Sequence, residues 1–243
     1  MKTSHLILVL SALLSVSCSV REEDSARDVA FADGTAFWAE LEDASDSQTK
    51  VYADDKLRVL WDADDRVTIF NKYTYNQEYR FAGRTGDNSG AFKIVPGDDF
   101  VTGNELDLIY AVYPYREDTY IDNDGLLTLV LPEAQAYREG SFGRGANTMV
   151  SVSTGNQLLF KNLCGYLSLK LYGENVSVAS ISIKGNNDEP LAGEAFVTAS
   201  PDNAPSLAFA DAATGEIFLN MDEPVLLGST AAEATTSGLL SLP

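Results

Sequence analysis

The chain has 243 residues, of which 45% are hydrophobic and 22% are charged, so it can bury a core and global disorder is not expected. Its 36 acidic and 17 basic residues give a formal net charge of -19. A surface this acidic repels phosphate backbones, which argues against nucleic-acid binding.

Residues 1–17 predict a secretory signal, with a charged start at Lys2 and an apolar run from Leu6 to Leu14 that is too short to span a bilayer as a mature helix. Small residues then precede Cys18, an arrangement similar to the signal of a bacterial lipoprotein. Leu14 stands four positions before the cysteine, where the usual pattern has three. The resemblance implies a mature chain anchored through acylated Cys18; the alternative is an ordinary signal with an incidental cysteine.

Residues 18–35 predict an acidic tether without strand pattern, marked by Glu22, Glu23 and Asp24 in a row. In the lipoproteins that this signal resembles, an acidic cluster after the lipidated cysteine accompanies display on the outer face of the outer membrane. A solvated tether is the simpler interpretation, and the two are compatible.

The single histidine, His5, lies inside the predicted signal. The mature chain would have no imidazole for Ser-His-Asp catalysis, for His-ligated zinc or for general-base chemistry. The acidic segments DADD (62–65) and DNDG (122–125) lack the spaced ligands of an EF-hand loop and favour turns. We therefore expect no enzyme activity, no metal site and no cofactor.

From Ala36 onward, short apolar or alternating runs separated by Gly, Asp, Asn and Pro predict a mainly β fold of the sandwich type. The runs are AFWAEL (36–41), TKVYA (49–53), LRVLW (57–61), RVTIFN (66–71), EYRFAG (78–83), GAFKIV (90–95), LDLIYAVYP (106–114), LLTLVLP (126–132), TMVSVS (148–153), LLFKNLCGYLSLKLY (158–172), VASISIKG (178–185), GEAFVTAS (193–200) and EIFLN (216–220). The segment PEAQAYREG (132–140) favours one helical turn. A polar, Gly-rich connection over 137–157 places a boundary between an N-terminal domain, 36–155, and a C-terminal domain, 156–243.

Cys164 lies in a predicted strand where the apolar parity changes between Phe160 and Leu163. A register break near Gly165 follows from that change, and beyond it Leu167 opens an alternating run. With Cys18 acylated, Cys164 has no disulfide partner within the chain. We expect it to be a packed core residue.

Several motifs, in this order, resemble the fimbrillin-type surface lipoproteins of Gram-negative bacteria. The motifs are KLRVLWDADDRVTIFN, YRFAGRTGDNSGAF, YAVYPY, LPEAQAYREGSFGRGANTMVS, LLFKNLCGYLSLKLYG and NNDEPLAGEA. The resemblance implies two tandem transthyretin-like β-sandwich domains in a subunit that assembles on the outer membrane. It also implies a lipid-anchored structural or adhesion subunit of a fimbrium, in a tip, anchor or accessory role.

In the fimbrial members a protease cuts after a basic residue and releases an N-terminal strand, and a strand of a neighbouring subunit then fills the groove. Carried to this chain, the removable strand is AFWAEL or TKVYA. The candidate processing points are Lys50, Lys56 and Arg58, which ordinary surface positions would explain equally simply.

The C-terminal segment AEATTSGLLSLP departs from the resembled pattern after Thr236. We expect the second domain to be incomplete, and a shifted reading frame near Ser237 is one hypothesis for the departure. The other is that the open groove is the place that a donor strand fills.

The competing function is a carbohydrate-binding surface lipoprotein that recognises host or bacterial glycans. Aromatic faces stack on sugar rings, and the first domain is rich in tyrosines: Tyr73, Tyr75, Tyr79, Tyr110, Tyr113, Tyr115 and Tyr120. Of these, Tyr110, Tyr113 and Tyr115 are the candidate stacking residues. The same tyrosines are also typical of a sheet core with cross-strand pairs, so the alternatives stay open here.

Overall fold

The structure, a computed structural model, describes residues 36–42, 59–96 and 105–242. The mainly β prediction is confirmed. The strands are β1 (Ala36–Leu41), β2 (Arg66–Phe70), β3 (Gln77–Phe81), β4 (Ser89–Ile94), β5 (Ile109–Tyr113), β6 (Tyr120–Ile121), β7 (Leu127–Leu131), β8 (Ala134–Arg138), β9 (Ser141–Phe142), β10 (Met149–Ser153), β11 (Gln157–Asn162), β12 (Gly165–Leu171), β13 (Ser177–Lys184), β14 (Gly193–Thr198), β15 (Ser206–Phe209), β16 (Glu216–Leu226) and β17 (Thr235–Leu242). A 3₁₀ turn spans Ala231–Glu233, and within these ranges no helix has the length and apolar character needed to cross a bilayer.

Seven strands close into a barrel in the order β1-β11-β10-β5-β2-β3-β4. The first strand completes it: β1 pairs antiparallel with β4, from Ala36 opposite Lys93, and parallel with β11, from Trp38 opposite Gln157. Alternation in β1 directs Phe37, Ala39 and Leu41 into the interior. The barrel therefore depends on a strand near the N-terminal end of the chain.

The barrel interior is built around Trp61, which is 1% exposed. Its ring centroid lies 5.0 Å from that of Phe92, 5.3 Å from that of Phe160 and 5.5 Å from that of Tyr113, each in an edge-to-face arrangement. Edge-to-face pairs add to the stabilisation from buried area because the positive ring edge meets the negative ring face. The barrel interior is therefore packed around the Trp61 ring.

A four-stranded sheet in the order β15-β14-β7-β6 covers the outside of the barrel. Its apolar side chains, including Leu127 and Val197, pack with Tyr110 and Val112 of β5. Both faces of β5 are thus buried, which explains why its sequence is almost continuously apolar.

The remaining strands form the sheet β13-β16-β8-β9 and the pair β12-β17. Their core has only four buried apolar side chains among the described residues, Ala192, Ile217, Leu219 and Met221. Side chains such as Leu167 and Ile181 around them are partly exposed, so the described side chains of this region are buried less completely than those of the barrel.

Strand pairing connects the chain on both sides of the expected boundary at residues 155 and 156. β10 pairs with β11 (Met149 opposite Asn162), and β7 pairs with β14 (Leu131 opposite Gly193). The two larger clusters of packed side chains therefore combine residues from both sides of that boundary. The division into 36–155 and 156–243 stays a prediction, as do the transthyretin-like character and the incompleteness of the second domain.

The prediction of a helical turn in PEAQAYREG is wrong, because the segment contains β8. β8 pairs in parallel with β16, with Ala134 opposite Phe218, and the amide of Phe218 donates to the carbonyl oxygen of Glu133 at 2.8 Å. Pairing with a strand some eighty residues later satisfies the backbone hydrogen bonds of β8, and this outweighs the local helical preference of the segment.

Cys164 lies between the end of β11 and the start of β12 and is 8% exposed within the cluster that contains Leu129 and Val152. The chain changes sheets here, and the register shift in the pairing of β12 falls later, between Ser168 and Lys170. We expect a thiol reagent to leave it unmodified in the folded protein and to react once urea unfolds the chain, because burial keeps the reagent out. Labelling a Cys18→Ser variant, followed by mass spectrometry, measures this one thiol. Cys164→Ala should lower the free energy of unfolding by about 1 kcal/mol. Labelling of the folded chain as fast as the unfolded one would contradict the assignment.

Candidate functional site

The site residues predicted from the sequence fall into two groups. Cys18, Lys50, Lys56 and Arg58 lie outside the described residues. The described tyrosines, Tyr110, Tyr113 and Tyr115, do not share one exposed face: Tyr110 and Tyr113 are both 7% exposed and belong to different clusters on the two sides of β5.

Tyr115 follows Pro114, at the end of β5, and is half-buried. Its amide donates to the carbonyl oxygen of Arg66 at 2.8 Å. Desolvation, with smaller contributions from the charges of Glu78 and Glu117, raises the pKa of the Tyr115 hydroxyl above its ordinary value. Tyr115 therefore lies beside charged side chains of β2 and β3, apart from the interior ring of Tyr113.

A cleft of about 250 Å³ opens beside the aromatic cluster, between the segment 59–65 and the segment 138–149. Trp61 and Tyr113 form part of its wall, and Asp62, Asp65 and Arg138 supply charged groups. The DADD segment forms the predicted turn here, since the amide of Asp65 donates to the carbonyl oxygen of Asp62 at 3.1 Å. The DNDG segment is also a turn, in which the amide of Gly125 donates to the carbonyl oxygen of Asp122 at 3.2 Å.

Asp65 is a buried carboxylate, 4% exposed, that lines the cleft. The Tyr113 hydroxyl donates to its Oδ1 at 3.2 Å, and the Asp62 amide donates to its Oδ2 at 2.8 Å. Arg144 Nε lies 3.7 Å from Oδ1. Burial is the largest influence on Asp65 and raises its pKa above the ordinary value, and the hydrogen bonds and the Arg144 charge offset that effect only in part.

Two arginines hold the 138–147 segment against the turn at 62–65. Arg138 donates to both carboxylate oxygens of Asp62, at 2.5 Å from Nη1 and 3.3 Å from Nη2. Arg144 Nη2 donates to the carbonyl oxygen of Ala63 at 2.8 Å. The amide of Gly145 donates to the Tyr113 hydroxyl at 3.2 Å, which ties the same segment to the barrel interior.

Four charged groups of the cleft thus form two pairs, Arg138 with Asp62 and Arg144 with Asp65, which hold the 138–147 segment against the turn. Within the described ranges, no group of three or more His, Cys, Asp or Glu side chains is arranged to hold a metal ion. Sequence reasoning recognised the turn but missed the cleft, because Asp65 and Arg144 are far apart in the chain. The signal that could have pointed to it is the pair of arginines in the Gly-rich stretch YREGSFGRG (137–145).

Comparison with known proteins leaves the family of this chain open. No family model matches the chain. No curated protein matches it either. Among solved structures, it is similar to a "putative cell adhesion protein" from Bacteroides ovatus, with 13% sequence identity, coverage of 85% of this chain and 76% of that chain, and a TM-score of 0.43. A likeness of this extent carries no argument about this chain.

The raised pKa of Asp65 predicts a pH-dependent difference in stability between the wild type and Asp65→Asn. A carboxyl whose pKa is higher in the folded state stabilises the fold when protonated, and this contribution is lost as the pH rises through the folded-state pKa. We therefore expect the wild type to lose stability relative to Asp65→Asn as the pH rises above the ordinary value of 3.8, and the difference to level off above the folded-state pKa.

Urea unfolding of both proteins at a series of pH values measures this difference. Asp107→Asn, at a carboxyl outside the cleft, is the control for the loss of one negative charge from an acidic protein. A wild type that gains stability relative to Asp65→Asn over the same pH range would show that the carboxylate is favoured by its surroundings, contrary to the account.

Proposed function

We propose that the chain is a lipid-anchored structural or adhesion subunit of a cell-surface fimbrium, a tip, anchor or accessory fimbrillin. Before cleavage it attaches to outer-membrane lipid through acylated Cys18, and after cleavage it joins other subunits by donor-strand exchange. The resemblance of its motifs to the fimbrillin-type lipoproteins supports this proposal, and so does the predicted lipoprotein signal. The single structural observation that supports it best is the placement of β1.

β1 occupies a slot between two strands from later in the chain, β4 and β11. It buries Phe37 at 3% exposure, Ala39 at 0% and Leu41 at 9%. Side chains at alternate positions fill interior pockets while the backbone pairs on both sides, which is the geometry of strand addition. Of the two removable strands predicted from the sequence, AFWAEL is β1, and TKVYA lies outside the described residues.

The directions of the neighbouring strands do not by themselves fix the direction of a donor strand. Because β1 runs antiparallel to β4 and parallel to β11, those two neighbours run in opposite directions. Any inserted strand is parallel to one of them and antiparallel to the other. Donor polarity is therefore set by side chains that match the pockets of Phe37 and Leu41, since the backbone pattern is equivalent both ways.

The position of β1 also explains why exchange needs proteolysis. While β1 is part of the same chain, its effective concentration at the slot exceeds that of any free donor. A cut after Lys50, Lys56 or Arg58 turns β1 into a separate fragment, which also carries the Cys18 anchor and can leave the slot by dissociation. A donor strand on a neighbouring subunit can then bind in its place.

A disulfide between β1 and β4 tests this proposal. Trp38 of β1 lies opposite Ala91 of β4. The Trp38 amide donates to the carbonyl oxygen of Asn156, on the side of β11, at 2.9 Å, so Trp38 and Ala91 form a non-hydrogen-bonded pair. Such pairs have Cα atoms about 4.5 Å apart, within the range for a disulfide of about 4.4–6.8 Å. We expect the full-length Trp38→Cys/Ala91→Cys variant, cleaved by a trypsin-like protease, to stay monomeric when oxidised and to form SDS-resistant ladders when reduced.

Trp38→Cys without the second substitution is the matched control and should form ladders under both conditions. Gel electrophoresis without boiling measures assembly, and N-terminal sequencing locates the cut. The proposal is contradicted if the oxidised double variant forms ladders. It is also contradicted if the reduced variant forms none after a verified cut between residues 50 and 58.

A further inference from the structure

Tyr73 is the most exposed large hydrophobic side chain among the described residues, at 78%. It lies in the connection between β2 and β3, at one end of the barrel. The neighbouring Tyr75 packs instead against Phe70, with ring centroids 5.1 Å apart. Of these two tyrosines, Tyr73 is the one that presents its ring to solvent.

The backbone of Tyr73 is held in place by Asn71. The Asn71 Oδ1 atom accepts hydrogen bonds from the amides of Tyr73, at 2.7 Å, and Thr74, at 3.0 Å. The Asn71 amide donates to the carbonyl oxygen of Thr74 at 2.9 Å. Because the turn is closed from both sides, little further ordering is needed when a ligand contacts the ring.

Beside Tyr73 lies a groove of about 310 Å³, at the low end of the range of roughly 300–1,000 Å³ for small-molecule sites. Phe37, Leu106 and Ile109 give it an apolar floor. Asn71, Lys72, Asp107, Thr154 and Asn156 add amide, ammonium, carboxylate and hydroxyl groups. An exposed aromatic ring, an apolar floor and several hydrogen-bonding groups thus meet in one place.

The charges of the groove select a neutral ligand. Lys72 and Asp107 contribute one charge of each sign, so the groove is locally balanced. The net charge of -19 on the whole chain disfavours an anionic ligand such as a sialylated or sulfated glycan. A neutral sugar ring offers an apolar C–H face to an aromatic ring and hydroxyl groups to amide and carboxylate side chains.

We propose that the groove beside Tyr73 binds the terminal ring of a neutral oligosaccharide. The inference deepens the proposed adhesive role and rests on it. It replaces the stacking set predicted from the sequence, in which Tyr110 and Tyr113 are buried, with one exposed tyrosine at the barrel end. Phe37 belongs to β1, so the floor of the groove is complete only while β1 or an equivalent strand fills the slot.

Binding of the uncleaved full chain, in detergent, to immobilised oligosaccharides tests the inference. The panel contains neutral glycans that end in galactose, mannose, fucose or N-acetylglucosamine, together with sialylated counterparts. We expect at least one neutral class to bind, Tyr73→Ala to weaken it by about tenfold or more, and Tyr73→Phe to stay within about twofold. Tyr172→Ala removes another exposed tyrosine, 58% exposed and away from the groove, and should bind like the wild type.

Three outcomes overturn the inference: no binding to any neutral class, binding to sialylated glycans alone, or equal binding by Tyr73→Ala and the wild type. Thermal unfolding of Tyr73→Ala confirms that the variant is folded, as expected for an exposed side chain. The ladder assay on cleaved protein separates the two proposals. If ladders form but no glycan binds, the glycan inference is contradicted and the proposed fimbrial subunit is not. If a glycan binds but no ladders form, the proposed strand exchange is contradicted.

Discussion

The backbone hydrogen bonding of β4 and β11 on their shared side depends on β1, because the barrel order places β1 between them. Unpaired strand edges expose rows of donors and acceptors that other strands can bind. β1 satisfies these rows and also delivers Phe37 and Leu41 to the interior. A strand from the N-terminal side of the chain thus closes the barrel, which makes closure a source of stability and, under the proposed assembly, the point where another subunit would engage.

The rest of the described structure is arranged around that barrel. Trp61 fills its interior, and the Asp65 carboxylate joins the Tyr113 hydroxyl to the turn that carries Asp62. Arg138 and Arg144 then fasten the 138–147 segment onto the same turn. In contrast to these buried groups, Tyr73 is exposed to solvent, and it lies beside a groove whose floor includes Phe37 of β1. The proposed adhesive and assembly roles would therefore share one strand.

Much of the fold could be predicted from the sequence, because apolar alternation decides a strand locally. The bounds predicted for AFWAEL are those of β1, and Cys164 is the buried core residue that the sequence predicted. The parity change around Phe160 corresponds to the end of one strand and the start of another in a different sheet. Pairing between distant segments could not be predicted: β8 depends on β16, and β17 follows a small polar stretch that carries little strand signal. The tyrosines show the same limit, since residue type does not reveal that Tyr110 is buried and Tyr73 exposed.

Hydrogen exchange read by mass spectrometry, before and after proteolytic cleavage, tests most directly whether β1 fills a replaceable slot. Cleavage should remove protection from the facing amides of β4 and β11 while β2 and β5 remain protected, and a synthetic peptide with the sequence AFWAEL should restore it. A scrambled peptide of the same composition should restore nothing. If β4 and β11 keep full protection after β1 has been cut off and removed, or if the peptide restores none, β1 is not the strand on which closure depends.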